Sequence, residues 1–270
     1  MIPRNYHTHT TYCDGRDTPE EMILAAIDMG FETLGFSGHS PLFSEDWCMT
    51  NESVGKYYDE LNFLKEKYKD KIEILIGLEQ DILSDEPTLS FDYIIGSVHA
   101  LPTEDGLLPV DESLEMLEDG IMRHFGGDSL LFAEKYFERV SEIFDRTGCQ
   151  IVGHLDLLTK FQDRKKLFDT SHPRYLSCAE KAIEKLSSQG VIFEVNTGAI
   201  SRGYRTTPYP ENSLLKLIKA KGGRVMLSSD CHDKNFLTCG FEEALSLLRE
   251  CGFEEISYLS VGNILSEKIG

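Results

Sequence analysis

Short apolar runs alternate with amphipathic segments along almost the whole of the 270-residue chain. "FETLGFSGH", "KIEILIGLEQD", "FDYIIGSVH", "CQIVGHLD", "GVIFEVNTG" and "GRVMLSSDCH" are rich in Ile, Val, Leu or Phe. Each is bounded by glycine or polar residues, the pattern of a buried strand. Helical periodicity fills the intervals. "DTPEEMILAAIDMG" carries Thr18 and Glu21 at capping-box spacing, Pro19 at the first helical position and Gly30 as a stop. "NESVGKYYDELNFLKEKY", "DSLLFAEKYFERVSEIFDRTG", "SHPRYLSCAEKAIEKLSSQG", "PENSLLKLIKAKGG" and "GFEEALSLLRECG" are similarly periodic. Strand–helix alternation of this kind predicts parallel strands joined by helical crossovers. With an extended segment over residues 2–9 there are seven strands, and "EEISYLSV" would make an eighth. The expected fold is α/β, a single barrel, regular or distorted. An open doubly wound sheet is disfavoured, because no strand is followed by a GxGxxG turn.

The histidines fall on this pattern unevenly. His7 and His9 sit one residue apart in "NYHTHTTYCDG", with Asp14 close behind. In an extended segment i and i+2 share a face, so the two imidazoles project together. His39, His99, His154 and His232 each end a predicted strand, as do the carboxylates Glu79 and Asp230. A parallel barrel gathers those ends on one face, where active sites lie. Any one of these histidines could be a satisfied core or cap residue. Six at equivalent positions, with strand-end carboxylates, are better explained by a metal, because packed imidazoles without a cation need many hydrogen-bond partners. With Asp14 there are nine candidate ligands, enough for three ions or for two with supporting groups. Glu79, with two oxygens, could bridge a pair. His124 and His172 fall in helix or loop contexts and are expected on the surface.

Composition narrows the partners. The formal charge is −19, from 27 basic and 46 acidic residues, which argues against a nucleic-acid or anionic-membrane surface. The start "MIPRNYHTHT" lacks the apolar region of a signal peptide, and no apolar run approaches membrane-spanning length. The seven cysteines are odd in number and never spaced CxxC, so reduced thiols in a cytoplasm are expected. Cys13 and Cys231 lie beside candidate ligands but are read as packing residues. Nothing in the pattern selects between a monomer and a homo-oligomer.

The motifs "HTHTTYCDG", "GHS", "GLEQD", "GSVH", "GHLD" and "SSDCH", in that order and spacing, resemble those of the PHP (polymerase and histidinol phosphatase) family. The resemblance runs over nearly the whole chain and is nearest to the histidinol-phosphatase branch. It implies a distorted (β/α)7, TIM-like barrel, with residues 1–270 forming one metal-dependent phosphatase domain. It also implies a trinuclear centre at the C-terminal ends of the strands. His7, His9, Glu79 and Asp230 would hold the first ion. Glu79, His99 and His154 would hold the second. Asp14, His39 and His232 would hold the third. Some relatives have histidine where this chain has Asp14, and the aspartate accords with the histidinol-phosphatase branch. Zinc, manganese and iron all suit such a donor set.

The segment "VNTGAISRGYRTTPYP" looks like the family's substrate loop. Arg202 and Arg205 are expected to clasp phosphate oxygens, since guanidinium offers paired donors and stays charged. Lys160 is a further substrate-binding candidate, and Asn196 is expected to support the loop. The implied reaction is hydrolysis of L-histidinol phosphate to L-histidinol and phosphate, a step of histidine biosynthesis. Its expected course is in-line attack by a metal-bridging hydroxide, with Glu79, Asp230, Arg202 and Arg205 as the catalytic groups. Relatives that act on nucleotides or phosphotyrosine define the alternative within the family. A metal-dependent amidohydrolase also starts with HxH on a barrel strand. However, a modified lysine often bridges its metals, and nothing there corresponds to Asp14, His39 and His232. A non-catalytic metal- or phosphate-binding module would be expected to have lost ligands, and this chain has all of the expected positions.

Overall fold

The computed structural model describes residues 3–42 and 46–270. Seven parallel strands make one sheet: β1 (Arg4–Asn5), β2 (Thr33–Phe36), β3 (Glu73–Asp81), β4 (Tyr93–Ser97), β7 (Ile151–Val152), β8 (Ile192–Asn196) and β9 (Arg224–Ser228), in that spatial order. A parallel bridge between Thr8 and Cys231 joins the two edges. His9 N–H donates to the Cys231 carbonyl at 2.8 Å and Cys231 N–H to the His7 carbonyl at 3.0 Å. The sheet is thereby nearly closed into the expected seven-stranded barrel.

Between β4 and β7 lie a hairpin, β5 (Ala100–Thr103) with β6 (Gly106–Pro109), and helix α3 (Leu114–Phe125). Both go beyond the expected elements. The single helix expected over residues 128–148 is two, α4 (Ser129–Val140) and α5 (Ile143–Thr147), separated at Ser141 and Glu142. The other crossovers are α1 (Pro19–Asp28), α2 (Asn51–Tyr68), α6 (Pro173–Ser188), the short α7 (Gly198–Ser201), α8 (Asn212–Ala220) and α9 (Phe241–Glu250). Helix α1 starts as its sequence predicts: Thr18 accepts from Glu21 N–H, and the Glu21 carboxylate accepts from Thr18 N–H at 3.0 Å.

"EEISYLSV" does not add an eighth barrel strand. It forms β10 (Glu255–Ser260), which pairs antiparallel with β11 (Asn263–Lys268). Leu259 of β10 packs into the barrel's interior cluster, and its carbonyl accepts from the Tyr6 hydroxyl at 2.8 Å. The hairpin therefore plugs the barrel.

Strand alternation divides β3 cleanly. Ile74, Ile76 and Leu78 pack outward with α1 and α2, while Leu75 joins Tyr6, Tyr93, Ile95, Ile151, Ile192 and Met226 inside. Farther along the same inward faces come Glu79, Ser97, Glu194 and Ser228. The barrel interior thus changes from apolar to polar toward the C-terminal ends of its strands, and the polar layer is the floor of the site.

Tyr93 fills the level between. Its hydroxyl lies 2.5 Å from the Tyr6 carbonyl and 2.9 Å from that of Phe36. A Cβ added at Gly77 would stand 2.4 Å from its ring. Gly77→Ala should therefore cost about 1–3 kcal/mol as overpacking. The urea midpoint measures this, and it should fall with an unchanged slope.

Candidate metal centre

The barrel ladder continues past the strand ends and sets the candidate ligands side by side. A parallel bridge pairs His39 with Glu79. Ser40 N–H donates to the Glu79 carbonyl at 2.8 Å and Glu79 N–H to the Gly38 carbonyl at 3.1 Å. The Thr8–Cys231 bridge likewise puts His7 and His9 against Asp230 and His232. Asp230 has φ 48°, in the left-handed region. For a non-glycine residue that costs on the order of 1–3 kcal/mol, which the neighbouring contacts must offset.

Glu79 is the centre of the cluster and only 1 % exposed. Its Oε2 lies 3.1 Å from His7 Nε2, 3.5 Å from His9 Nε2 and 2.8 Å from His39 Nδ1. Its Oε1 lies 3.0 Å from His154 Nε2 and 3.3 Å from His99 Nε2, and accepts from Ser97 Oγ at 2.7 Å. One carboxylate thus faces five imidazoles, its oxygens divided between two groups. Asp230 Oδ1 stands 3.3 Å from His9 Nε2 and 3.7 Å from His7 Nε2. At the more open end, Asp14 reaches His232 Nε2 at 3.1 Å and His39 Nε2 at 3.6 Å.

These groups perturb one another strongly. Burial works against the Glu79 charge, but His39, His7 and His99 hold its carboxyl well below the usual range. Burial likewise opposes ionisation of Asp230, and Arg202 and His7 outweigh it. Asp14 is also lowered, with His232 and His39 prevailing over its partial desolvation. His9 is pushed down to about 3 by burial and by the neighbouring His232 and His39. His7 goes the other way: burial opposes its charge, yet Glu194, Glu79 and Asp230 raise it well above an ordinary imidazole. The carboxylates stay ionised and draw positive charge to the floor of the bowl.

A divalent cation fits this donor set. His7 Nε2, His9 Nε2 and Glu79 Oε2 are buried and make no hydrogen bond among the described residues. Converging lone-pair atoms of that kind need a partner. Three overlapping sets have ligand atoms within 4.8 Å of one another: His9, Asp14, His39 and His232; His7, His9 and Asp230; and His39, Glu79 and His99. The grouping differs from the expected one: His9 also joins the open set, His39 joins the set of Glu79 and His99, Glu79 is not in the set of His7, His9 and Asp230, and His154 is in none of the three. His154 meets the cluster through Glu79 Oε1.

The structure separates the two arginines. Arg202 lines a bowl of about 1130 Å³ over the cluster, together with Lys160. Its Nη2 donates to Asp230 Oδ2 at 3.0 Å and its Nη1 to the Asp230 carbonyl at 3.1 Å. Arg205 is 4 % exposed. It donates to Thr159 Oγ1 and to Thr207 Oγ1, lies 3.6 Å from Glu211 and covers the Tyr209 ring. Its guanidinium is taken up inside the protein and does not line the bowl, whereas that of Arg202 does. Lys160 Nζ donates to the Asp111 carbonyl at 2.7 Å and carboxylate at 3.0 Å.

Asn196 supports the loop, accepting from Gly198 N–H at 2.9 Å. Burial pushes the Cys13 thiol up to about 11 and that of Cys231 to about 12, as packing cysteines require. His172 caps α6, and His124 lies on α3.

Three contributors have no counterpart in the sequence reading. Glu194, inside β8, meets His7 Nδ1 at 2.5 Å. Asp81, at the end of β3, meets His99 Nδ1 at 3.0 Å and also accepts from His99 N–H at 3.0 Å. Trp47 stands edge-on to the His39 ring with centroids 4.7 Å apart. The signal for the carboxylates was present in "GLEQD" and "IFEVN", where an acid interrupts an apolar strand.

Fold and site together define a barrel protein that offers imidazole and carboxylate ligands to divalent metal at its strand ends. A model of the PHP domain matches residues 5–198, and the chain belongs to that family. It is 27% identical to the histidinol-phosphatase of Bacillus subtilis, over 91% of this chain and 99% of the relative. A Schizosaccharomyces pombe protein named "Probable histidinol-phosphatase" is 29% identical, over 97% of this chain and 90% of its own. The fold is similar to a crystal structure of histidinol phosphate phosphatase from Lactococcus lactis, complexed with zinc, L-histidinol and phosphate. Its TM-score is 0.74 at 22% identity, covering 97% of this chain and 98% of the other.

Because Glu79 touches both groups of imidazoles and Asp14 only the open one, Glu79→Gln should strip far more divalent metal than Asp14→Asn. Elemental analysis after gel filtration measures the difference. Asp14→Asn should still hold most of the wild-type content.

Proposed function

We propose that this protein is a metal-dependent phosphomonoesterase that hydrolyses L-histidinol phosphate to L-histidinol and inorganic phosphate, serving histidine biosynthesis in the cytoplasm. The observation that carries the reading is the placement of Arg202 over the ligand cluster, held there by Asp230. A phosphate lowered into the bowl would meet a guanidinium on one side and the cation sites on the other. The relatives named for this substrate supply its identity. The net charge of −19 fits a small substrate rather than a nucleic acid.

Three divalent ions match the ligand count, with zinc, manganese or iron as the metal. His7, His9, Glu79 and Asp230 would hold one, Glu79, His99 and His154 a second, and Asp14, His39 and His232 the third. When bound, they would supply neutralisation of the phosphate dianion and acidification of water near neutral pH. The catalytic unit extends at least to His232, because Asp230 and His232 belong to the ligand cluster and lie beyond the segment that the family model matches.

The chain's own residues do the remaining work. Arg202, held through Nη1 and Nη2 by Asp230, presents its remaining N–H donors to the non-bridging phosphate oxygens, and its charge favours the transition state. Lys160, which also lines the bowl, is neutralised by Asp111 and binds substrate as a hydrogen-bond donor. Glu79 keeps its two oxygens apart and ionised. Asp230 Oδ1 accepts the proton of the attacking water and returns it to the leaving alkoxide. Arg205 ties the substrate loop to Thr159, beside Lys160.

Phosphate release from a panel of L-histidinol phosphate, nucleotides, phosphotyrosine and sugar phosphates tests the reading, with an amide panel as the contrast. Histidinol phosphate should give the highest kcat/KM. A higher value for a nucleoside bisphosphate would overturn the choice of substrate. Arg202→Ala should keep its metal and lose about 10²-fold in kcat/KM, since a charge-assisted contact is worth roughly 1.5–3 kcal/mol and strengthens in the transition state.

A further inference from the structure

Glu194 is 1 % exposed and lies beneath the ligand cluster rather than in the bowl. Four donors converge on it. His7 Nδ1 and Ser228 Oγ each approach Oε1 at 2.5 Å. His154 N–H and Asn196 Nδ2 approach Oε2 at 2.8 and 2.9 Å. They come from the ends of β1, β9 and β7 and from β8 itself. Asn196 Nδ2 also reaches Asp230 Oδ2 at 3.3 Å. Glu194 is therefore joined to His7 directly, to His154 through its backbone and to Asp230 through one amide.

The polarity of this arrangement is specific. A carboxylate has lone pairs for all four donors and no proton to offer. The bond from Nδ1–H fixes which His7 nitrogen carries the proton, and so turns Nε2 toward Glu79 Oε2, 3.1 Å away. That Nε2 makes no hydrogen bond among the described residues. An imidazole can ligate only through a nitrogen that carries no proton.

We infer that Glu194 is a positioning residue of the metal centre: it directs His7 to bind metal through Nε2 and braces His154 and Asp230 around the same floor. This rests on reading the cluster as a metal centre. The isosteric change Glu194→Gln is the informative one. If the new amide group faces His7, two donors oppose each other, or the His7 proton moves to Nε2 and blocks coordination. If it faces the other way, it opposes His154 N–H and Asn196. No rotamer of glutamine satisfies all four donors.

Zinc alone is the probe, with competition against a chromophoric chelator and no substrate. Glu194→Gln should weaken the tightest zinc site about 10–100-fold, the usual effect of losing a carboxylate behind a ligating histidine. Ser228→Ala removes one donor and leaves the His7 bond, and should change that affinity by less than about 3-fold. A Gln variant with wild-type zinc affinity overturns the inference while leaving the metal reading intact. A wild-type protein that binds no zinc overturns the metal reading and the inference with it. Nitrogen-15 spectra of zinc-loaded, histidine-labelled wild type give a test that needs no foldable variant. They should show His7 bound through Nε2 with a slowly exchanging Nδ1–H, and coordination through Nδ1 overturns the inference.

Discussion

Ionised Glu79 is buried inside a barrel, and five imidazoles surround it. Burying a carboxylate without compensation is prohibitively costly, so the neighbourhood must supply positive charge or protons. The raised His7 and His99 and the lowered Glu79 and Asp230 are the protein's own answer. Divalent ions answer the same requirement more completely, because they satisfy the imidazole nitrogens as well. The polar floor, the clustering of strand ends and the strained Asp230 backbone all follow from keeping that carboxylate charged and shared.

The barrel makes this affordable by separating two jobs along one axis. Toward the β10–β11 plug, interior positions are apolar and interlocked, with Tyr93 in the space left by Gly77. Toward the bowl, the same inward-facing positions become Glu79, Ser97, Glu194 and Ser228. Stability is concentrated at one end, and the other end can hold groups that repel one another. Asp230 joins the floor to the bowl: Oδ1 faces the histidines and Oδ2 holds Arg202.

The barrel and the ligand cluster were legible in the sequence because both depend on strand register. Apolar runs marked the strands, and every candidate ligand except Asp14 lies at or just beyond a strand end. Contacts set by side-chain direction were not legible. Arg202 and Arg205 share one loop, yet one reaches the bowl and the other is absorbed by Thr159, Thr207 and Glu211. Glu194 was passed over because "GVIFEVNTG" reads as an apolar strand, and the inward direction of the third residue of β8 gives it its role. The eighth apolar run was compatible with a barrel strand in composition, but the Thr8–Cys231 bridge already joins the two edges of the sheet. The hairpin and α3 between β4 and β7 lacked a clean period of either kind.

Anomalous diffraction from metal-loaded crystals, recorded on both sides of the metal absorption edge, tests the shared role of Glu79 most directly. Two maxima should flank the Glu79 carboxylate, one against each oxygen, with a third beside Asp14 and His232. A fully active crystal with a single maximum, or with both Glu79 oxygens on one ion, would contradict the account.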